Sequence, residues 1–166
     1  MKFKKRIPAK KYYAPEEVHY NLDGGIFDET LEYYVSISLS KIPMTLADRV
    51  IINCYFATIP QGVYGLYFTQ HNVNYKGLIL ISNRHLRKGR QERIEHTILH
   101  EIGHWYLKHD SPAIEHEERS EFKRKERETN KQVKKWLQEY DNSPPVTKLE
   151  ANEWTRELWR VNGIEI

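Results

Sequence analysis

One segment constrains the fold of this chain more than any other: residues 96–110, which read HTILHEIGHWYLKHD. Large apolar residues recur through it and just before it at intervals of three or four, the spacing of an amphipathic helix. These residues are Ile94, Ile98, Ile102 and Trp105. His100 and His104 lie one helical turn apart on the other side. The sequence therefore predicts a helix that buries one face in a core and presents two imidazoles together on the other.

The same segment carries a chemical pattern, because His100, Glu101 and His104 spell HExxH. Two imidazoles on successive turns can bind one metal ion, and zinc is the usual ion of this pattern. Glu101 lies beside them, where its carboxylate can accept a proton from a water that zinc activates, the chemistry of peptide hydrolysis. Chance would produce the spacing in roughly 4% of such chains. An accidental, solvated HExxH would not need an apolar opposite face, so we predict a zinc site with Glu101 as general base.

The sequence leaves the third metal ligand open. A catalytic zinc takes three protein ligands and keeps one position free. The metzincin spacing would require glycine and histidine where this chain has Leu107 and Asp110. A glutamate on a later helix remains, and the leading candidates are Glu128 and Glu150.

The segments around this helix predict an α+β fold, a small antiparallel sheet packed against helices. Residues 62–70 and 76–82 are rich in β-branched and aromatic residues, and a polar stretch separates them. They predict two antiparallel strands. Residues 33–40, YYVSISLS, alternate apolar and polar side chains and predict another strand. Pro43 breaks that pattern, and Thr45 is predicted to cap a short helix after it.

The second half of the chain predicts two more helices. The highly charged stretch from Glu115 to Lys135 contains acid–base pairs four residues apart, which favour an exposed helix. After the break DNSPPV, residues 147–161, TKLEANEWTRELWRV, predict a final helix.

Composition bounds the remaining possibilities. A chain of 166 residues fits one domain, and a net charge of +3 does not by itself indicate nucleic-acid binding. Basic residues crowd residues 1–14, which we predict to be a flexible arm, and residues 15–166 form the single domain. Cys54 is the one cysteine, which excludes an intrachain disulfide and a cysteine-based metal cluster. No apolar run is long enough to span a bilayer and no secretory signal is present, so we expect a cytoplasmic protein.

Two stretches of the chain resemble the ImmA/IrrE family of bacterial and phage metallopeptidases. They are residues 76–110, KGLILISNRHLRKGRQERIEHTILHEIGHWYLKHD, and residues 149–158, LEANEWTREL. The resemblance implies a zincin-like fold with an HExxH active-site helix. It implies Zn²⁺ held by His100, His104 and Glu150, with Glu101 as general base.

The resemblance leaves one rival ligand and suggests a substrate. In KERETNKQVKKWL, residues 125–137, Glu128 is the alternative to Glu150. The distance from His104 to Glu150 is long for the family, so the charged helix at about 113–142 is interpreted as an insertion. The family further implies a protein substrate, a DNA-binding helix-turn-helix repressor of a phage or mobile element.

A different class of function also fits the sequence. The chain would then be a non-catalytic repressor-binding or toxin/antitoxin-type module with a structural metal. A closed structural site needs four protein ligands, and His109 or His116 would supply the fourth; otherwise both are interpreted as surface histidines. Direct nucleic-acid binding is not favoured, because no motif of interleaved aromatic and basic residues occurs beyond the N-terminal arm.

Overall fold

A computed structural model of the protein describes residues 10–60, 62–69, 76–109 and 118–143. Within these ranges the chain is α+β, as predicted. Its helices are α1 (Pro15–Leu22), α2 (Glu29–Ser40), α3 (Met44–Asn53), α4 (Asn83–Lys88), α5 (Gln91–Tyr106) and α6 (Arg119–Asp141). Its strands are β1 (Cys54–Ile59), β2 (Gly65–Thr69) and β3 (Gly77–Ser82). The predicted final helix at 147–161 lies outside the described residues.

The three strands form one mixed sheet in the order β1-β3-β2. The predicted antiparallel pairing of residues 62–70 with residues 76–82 is confirmed, because β2 and β3 run antiparallel. The prediction of a wholly antiparallel sheet is wrong, because β1 joins β3 in parallel. Phe56, Ile79 and Tyr67 stand side by side across the three strands and are all buried. This row shows that one face of the sheet packs on the helices.

The prediction of a strand at 33–40 is wrong, since these residues belong to α2. Asp28 starts the helix by accepting a hydrogen bond from the Leu31 backbone N–H at 2.8 Å. The alternation of apolar and polar residues suggests a strand with one exposed face. It does not indicate a strand here, because α2 is buried on several sides. Its serines are buried as well, and the hydroxyls of Ser38 and Ser40 donate to backbone carbonyls within the helix.

The start of α3 and the N-terminal boundary also differ from the predictions. The helix begins at Met44 with Pro43 as its N-cap and no side-chain cap, so Thr45 lies inside the first turn. Tyr12 and Ala14, at the end of the predicted arm, are buried. The Tyr12 ring packs edge-on against Tyr140 of α6, with 5.0 Å between centroids. The packed domain therefore begins before residue 15.

Helix α5 is the centre of the fold, as its apolar periodicity predicts. It contacts α2 and α6 on its flanks and β2 and β3 of the sheet. Ile94, Ile98, Leu99 and Ile102 are fully buried. The charged segment forms α6, whose Val133 and Trp136 are buried in the same core, so it packs directly beside the HExxH turn.

Gly103 permits this close packing of α6 on α5. A Cβ atom at residue 103 would lie 2.8 Å from Cγ2 of Thr129 on α6, well inside van der Waals contact.

None of the helices in the described ranges combines the length and apolarity that crossing a membrane requires.

Candidate metal centre

His100 and His104 project from the same face of α5, one turn apart. Their Nε2 atoms lie 3.1 Å from each other, and the ring centroids are 4.7 Å apart. The apolar side chains on the opposite face are buried, which fixes the rotation of the helix about its axis. The fold thus aims both imidazole Nε2 atoms at one point, as the HExxH spacing predicts.

The third member of the group comes from α6. The two carboxylate oxygens of Glu126 lie 3.1 Å from Nε2 of His104 and 3.3 Å from Nε2 of His100. One ligand atom from each of these residues lies within 4.8 Å of the others. His100, His104 and Glu126 therefore form a group that could bind a metal ion.

The chemistry and spacing of this group fit zinc. Two imidazole nitrogens and one carboxylate oxygen are a ligand set of catalytic zinc sites. Ligands about 2.0–2.1 Å from a tetrahedral ion stand about 3.3–3.5 Å from one another. The two imidazole nitrogens are 3.1 Å apart, and each lies 3.1–3.3 Å from a different oxygen of the Glu126 carboxylate, so the group is close to the spacing that zinc requires.

The structure does not place the predicted third ligands in this group. Glu128 binds elsewhere: one carboxylate oxygen lies 3.0 Å from Nε2 of His109, and the other accepts a hydrogen bond from Arg124 at 2.7 Å. Glu150 lies outside the described residues, and its role stays a prediction.

A sequence signal for Glu126 existed in the pattern of α6. Five residues recur at intervals of three or four and share the inner face of the helix: Phe122, Glu126, Thr129, Val133 and Trp136. Glu126 is the one acid in that stripe. Glu128 is rotated from Glu126 by about 200° at 100° per residue. The apolar stripe therefore indicates that Glu126, and not the predicted Glu128, faces α5.

Neighbouring polar groups orient both imidazoles through their Nδ1 atoms. Nδ1 of His100 lies 3.1 Å from the side-chain oxygen of Asn130, so it donates there and leaves Nε2 unprotonated for a metal. Nδ1 of His104 lies 3.0 Å from Nδ1 of His109, whose Nε2 reaches Glu128. His109 is buried, and its interpretation as a surface histidine is wrong. His116 lies outside the described residues.

Glu101 is buried beside the two imidazoles. Burial raises its pKa to about 7, the nearby charge of Glu126 adds to the rise, and His100 opposes it. Strand β2 closes over this carboxylate at Gly65, where a Cβ atom would lie only 2.7 Å from Oε1 of Glu101. A side chain at residue 65 would therefore displace the carboxylate of the predicted general base.

The charges within the group are strongly linked when no metal is bound. Burial alone would lower the pKa of His100, but hydrogen bonding to Glu126 and the charge of Glu101 outweigh it and raise that pKa. The pKa of Glu126 is held far below its usual range, chiefly by hydrogen bonds from His100 and His104. Because a metal binds the unprotonated imidazole, protons and a metal ion compete for this group.

The ligands and the base open into one cavity of about 230 Å³ between β2, α5 and α6. Val63, Leu66 and Phe122 give it apolar walls, and Tyr67 and Lys125 also line it. The ring of Tyr67 stacks nearly parallel on that of His104, at 6.1 Å and 13°. The three candidate metal ligands and Glu101 thus line one cavity that a substrate can enter.

No protein-family model, curated protein or solved structure matches this chain.

Proposed function

We propose that this protein is a zinc-dependent endopeptidase with a zincin-like active site. His100, His104 and Glu126 hold the metal, and Glu101 is the general base. The observation that carries the proposal is the convergence of two imidazole Nε2 atoms, 3.1 Å apart, with the Glu126 carboxylate, whose two oxygens lie 3.1 and 3.3 Å from them. The buried Glu101 lines the same cavity as these three residues.

The residues around the group suit the chemistry of peptide hydrolysis. Zinc supplies Lewis acidity, which acidifies a water molecule and polarises a substrate carbonyl. Glu101 accepts the proton of the attacking water and later delivers it to the departing amine, and a pKa near neutrality suits both transfers. Lys125 and Tyr67, which line the cavity, are the candidates to stabilise negative charge on the carbonyl oxygen.

The ligand count favours a catalytic over a structural metal. Structural zinc sites are closed by four protein ligands. Within the described ranges the group contains three such residues. The Nδ1 atom of His109 faces Nδ1 of His104, on the side of that ring away from the ligand atom. His109 therefore supports the orientation of His104 and not the alternative of a closed site.

The substrate and its setting follow from the resemblance to the ImmA/IrrE family. We propose a protein substrate, a helix-turn-helix repressor of a phage or mobile element, cleaved in the cytoplasm. A non-catalytic repressor-binding module with a structural metal is the alternative.

The decisive pair of variants separates metal binding from catalysis. Zinc-loaded Glu101→Gln should keep about one metal ion per chain and lose at least about 100-fold in peptide cleavage, because only the proton acceptor is removed. Thermal unfolding should show the same stabilisation by zinc as in the parent. Undiminished cleavage by Glu101→Gln would refute the assigned mechanism. Zinc-stabilised protein without any peptidase activity would favour the structural-metal alternative.

A further inference from the structure

A second and larger cavity lies next to the metal centre. It has a volume of about 1030 Å³ and is bounded by α4, the N-terminal half of α5 and residues 62–64. Val63 lines both this cavity and the one at the metal centre. His96, on its α5 wall, stacks on His100 with 6.2 Å between ring centroids. The two cavities therefore adjoin along one face of α5.

The walls of this cavity carry charge of a single sign. Four of its lining residues are cations, and we call them the cationic groove: Arg84, Lys88, Arg90 and Arg93. No aspartate or glutamate is among the lining residues that the structure describes. A cleft with walls of one sign concentrates the potential and attracts ligands of the opposite sign.

The cations of the groove have no acidic partner among the described residues, in contrast to the paired cations of this protein. Elsewhere Arg124 pairs with Glu121 and Glu128, and Lys41 pairs with the buried Glu95. The salt bridges of the described ranges include none from the cationic groove. The positive charge of the groove is thus available to a ligand.

The distance from the groove to the metal centre determines how many residues of a bound peptide separate its two contacts. Arg93, His96 and His100 recur at intervals of three and four and share one face of α5. At 1.5 Å per residue, Arg93 lies about 10 Å along the helix axis from His100. An extended peptide advances about 3.3 Å per residue, so it covers this distance in about three residues.

We infer that the cationic groove binds an acidic stretch of the protein substrate, about three residues from the bond that is cleaved. This inference rests on the proposed endopeptidase function, because it identifies the ligand of the groove as part of the chain that reaches the metal centre. The supporting observations are the shared wall at Val63, the uncompensated cations and the length of α5 between Arg93 and His100.

The groove suits a peptide better than a nucleic acid. Single-stranded nucleic acids bind to rows of aromatic rings on which successive bases stack. Among the described lining residues Tyr64 is the one tyrosine, phenylalanine or tryptophan, and its ring already stacks on His85 at 4.5 Å. Continuity with the metal centre also favours an occupant that is itself hydrolysed.

Binding is tested first, on the zinc-loaded full chain carrying Glu101→Gln, which prevents turnover. The probes are two fluorescein-labelled ten-residue peptides that are identical except for four consecutive glutamates or four glutamines. Fluorescence anisotropy at low salt should give at least about ten-fold tighter binding of the glutamate peptide, and added salt should reduce the difference. Equal affinity for the two peptides would overturn the inference.

Matched double variants locate the binding site. Arg84→Gln/Arg93→Gln should weaken the glutamate peptide by about ten-fold. Arg127→Gln/Lys134→Gln removes the same charge from the exposed side of α6 and should change affinity by less than about two-fold. Equal losses in both variants would show that net charge alone attracts the peptide and would overturn the inference. Tighter binding of a ten-nucleotide oligothymidylate than of the glutamate peptide would assign the groove to nucleic acid instead.

Cleavage is tested second. This experiment distinguishes a failure of the proposed peptidase function from a failure of the inference about the groove. The zinc-loaded wild type, given a mixture of peptides from a whole proteome, should leave cleavage sites enriched in Asp and Glu about three residues away. Arg84→Gln/Arg93→Gln should still cleave but without this enrichment. Cleavage sites with no acidic preference would refute the inference while supporting the proposed function. Selective glutamate binding by a protein that cleaves nothing would refute the proposed function and leave the groove as an acidic-peptide site.

Discussion

Substitution of Gly103 by alanine tests how the two helices build the metal centre. The new Cβ would lie 2.8 Å from Cγ2 of Thr129. Ordinary carbon–carbon contacts are about 3.5–4.0 Å, so we expect α6 to retreat from α5 by about 1 Å at this level. Glu126 is one turn from Thr129 on the same helix face, and its carboxylate should move by a similar amount.

This displacement should affect zinc binding far more than folding. Ligand distances in metal sites tolerate only about 0.2 Å, so we expect Gly103→Ala to weaken zinc by at least about ten-fold. Overpacking costs about 1–3 kcal/mol, whereas alanine gains about 1 kcal/mol over glycine in a helix. The unfolding free energy of the metal-free protein should therefore fall by no more than about 2 kcal/mol.

The assay is zinc affinity by competition with a chromophoric chelator, beside thermal unfolding of the metal-free protein. Thr129→Ser supplies a rescue, because it removes the clashing Cγ2 and keeps the hydroxyl that lies 3.3 Å from Nδ1 of His104. Gly103→Ala/Thr129→Ser should regain most of the affinity, and Thr129→Ser alone should bind zinc nearly as the parent does. A Gly103→Ala protein with wild-type affinity, or a double variant no better than the single one, would refute the reasoning.

Three further predictions concern ionisation and orientation. Asn130→Ala removes the partner of His100 Nδ1 and should weaken zinc by about 10-fold or more, measured by chelator competition, whereas Asn142→Ala at the end of α6 should not. Because the pKa of His100 is raised, zinc affinity should fall as pH falls through that pKa, by up to about ten-fold per unit for each displaced proton; a constant affinity from pH 8 to 5.5 would contradict this. Burial raises the pKa of Tyr33 to about 12 from 10.0. The unfolded chain then loses this proton first, so stability should fall by about 2–3 kcal/mol between pH 10 and 12, and Tyr33→Phe should abolish that part of the loss in alkaline denaturation.

The sequence predicted the parts of the fold whose signals are local. The helix around HExxH has a complete apolar face, and β2 and β3 are rich in β-branched and aromatic residues, so these three elements were predictable. Strand β1 is short, and the alternation of buried Cys54 and Phe56 with exposed Tyr55 was hidden inside a longer apolar run. Helix α2 was misread because buried serines imitate the polar face of a strand.

The metal centre shows the same division between local and tertiary information. His100, Glu101 and His104 are neighbours on one helix, and one helix places them. Glu126 is 22 residues beyond His104, and its position depends on Gly103 admitting α6 to close contact. The sequence contained the inner stripe of α6, but only packing shows that this stripe meets the histidine face of α5.

The central claim is that Glu126 completes the metal centre, and the most direct test is zinc content measured by mass spectrometry after equilibration in a zinc buffer. We predict about one zinc per chain for wild type, Glu128→Ala and Glu150→Ala. We predict much less for Glu126→Ala, because a three-ligand site loses most of its affinity for zinc when one ligand is removed. Glu128→Ala is the matched control on the same helix. Full zinc occupancy in Glu126→Ala, together with loss of zinc in Glu150→Ala, would contradict the account.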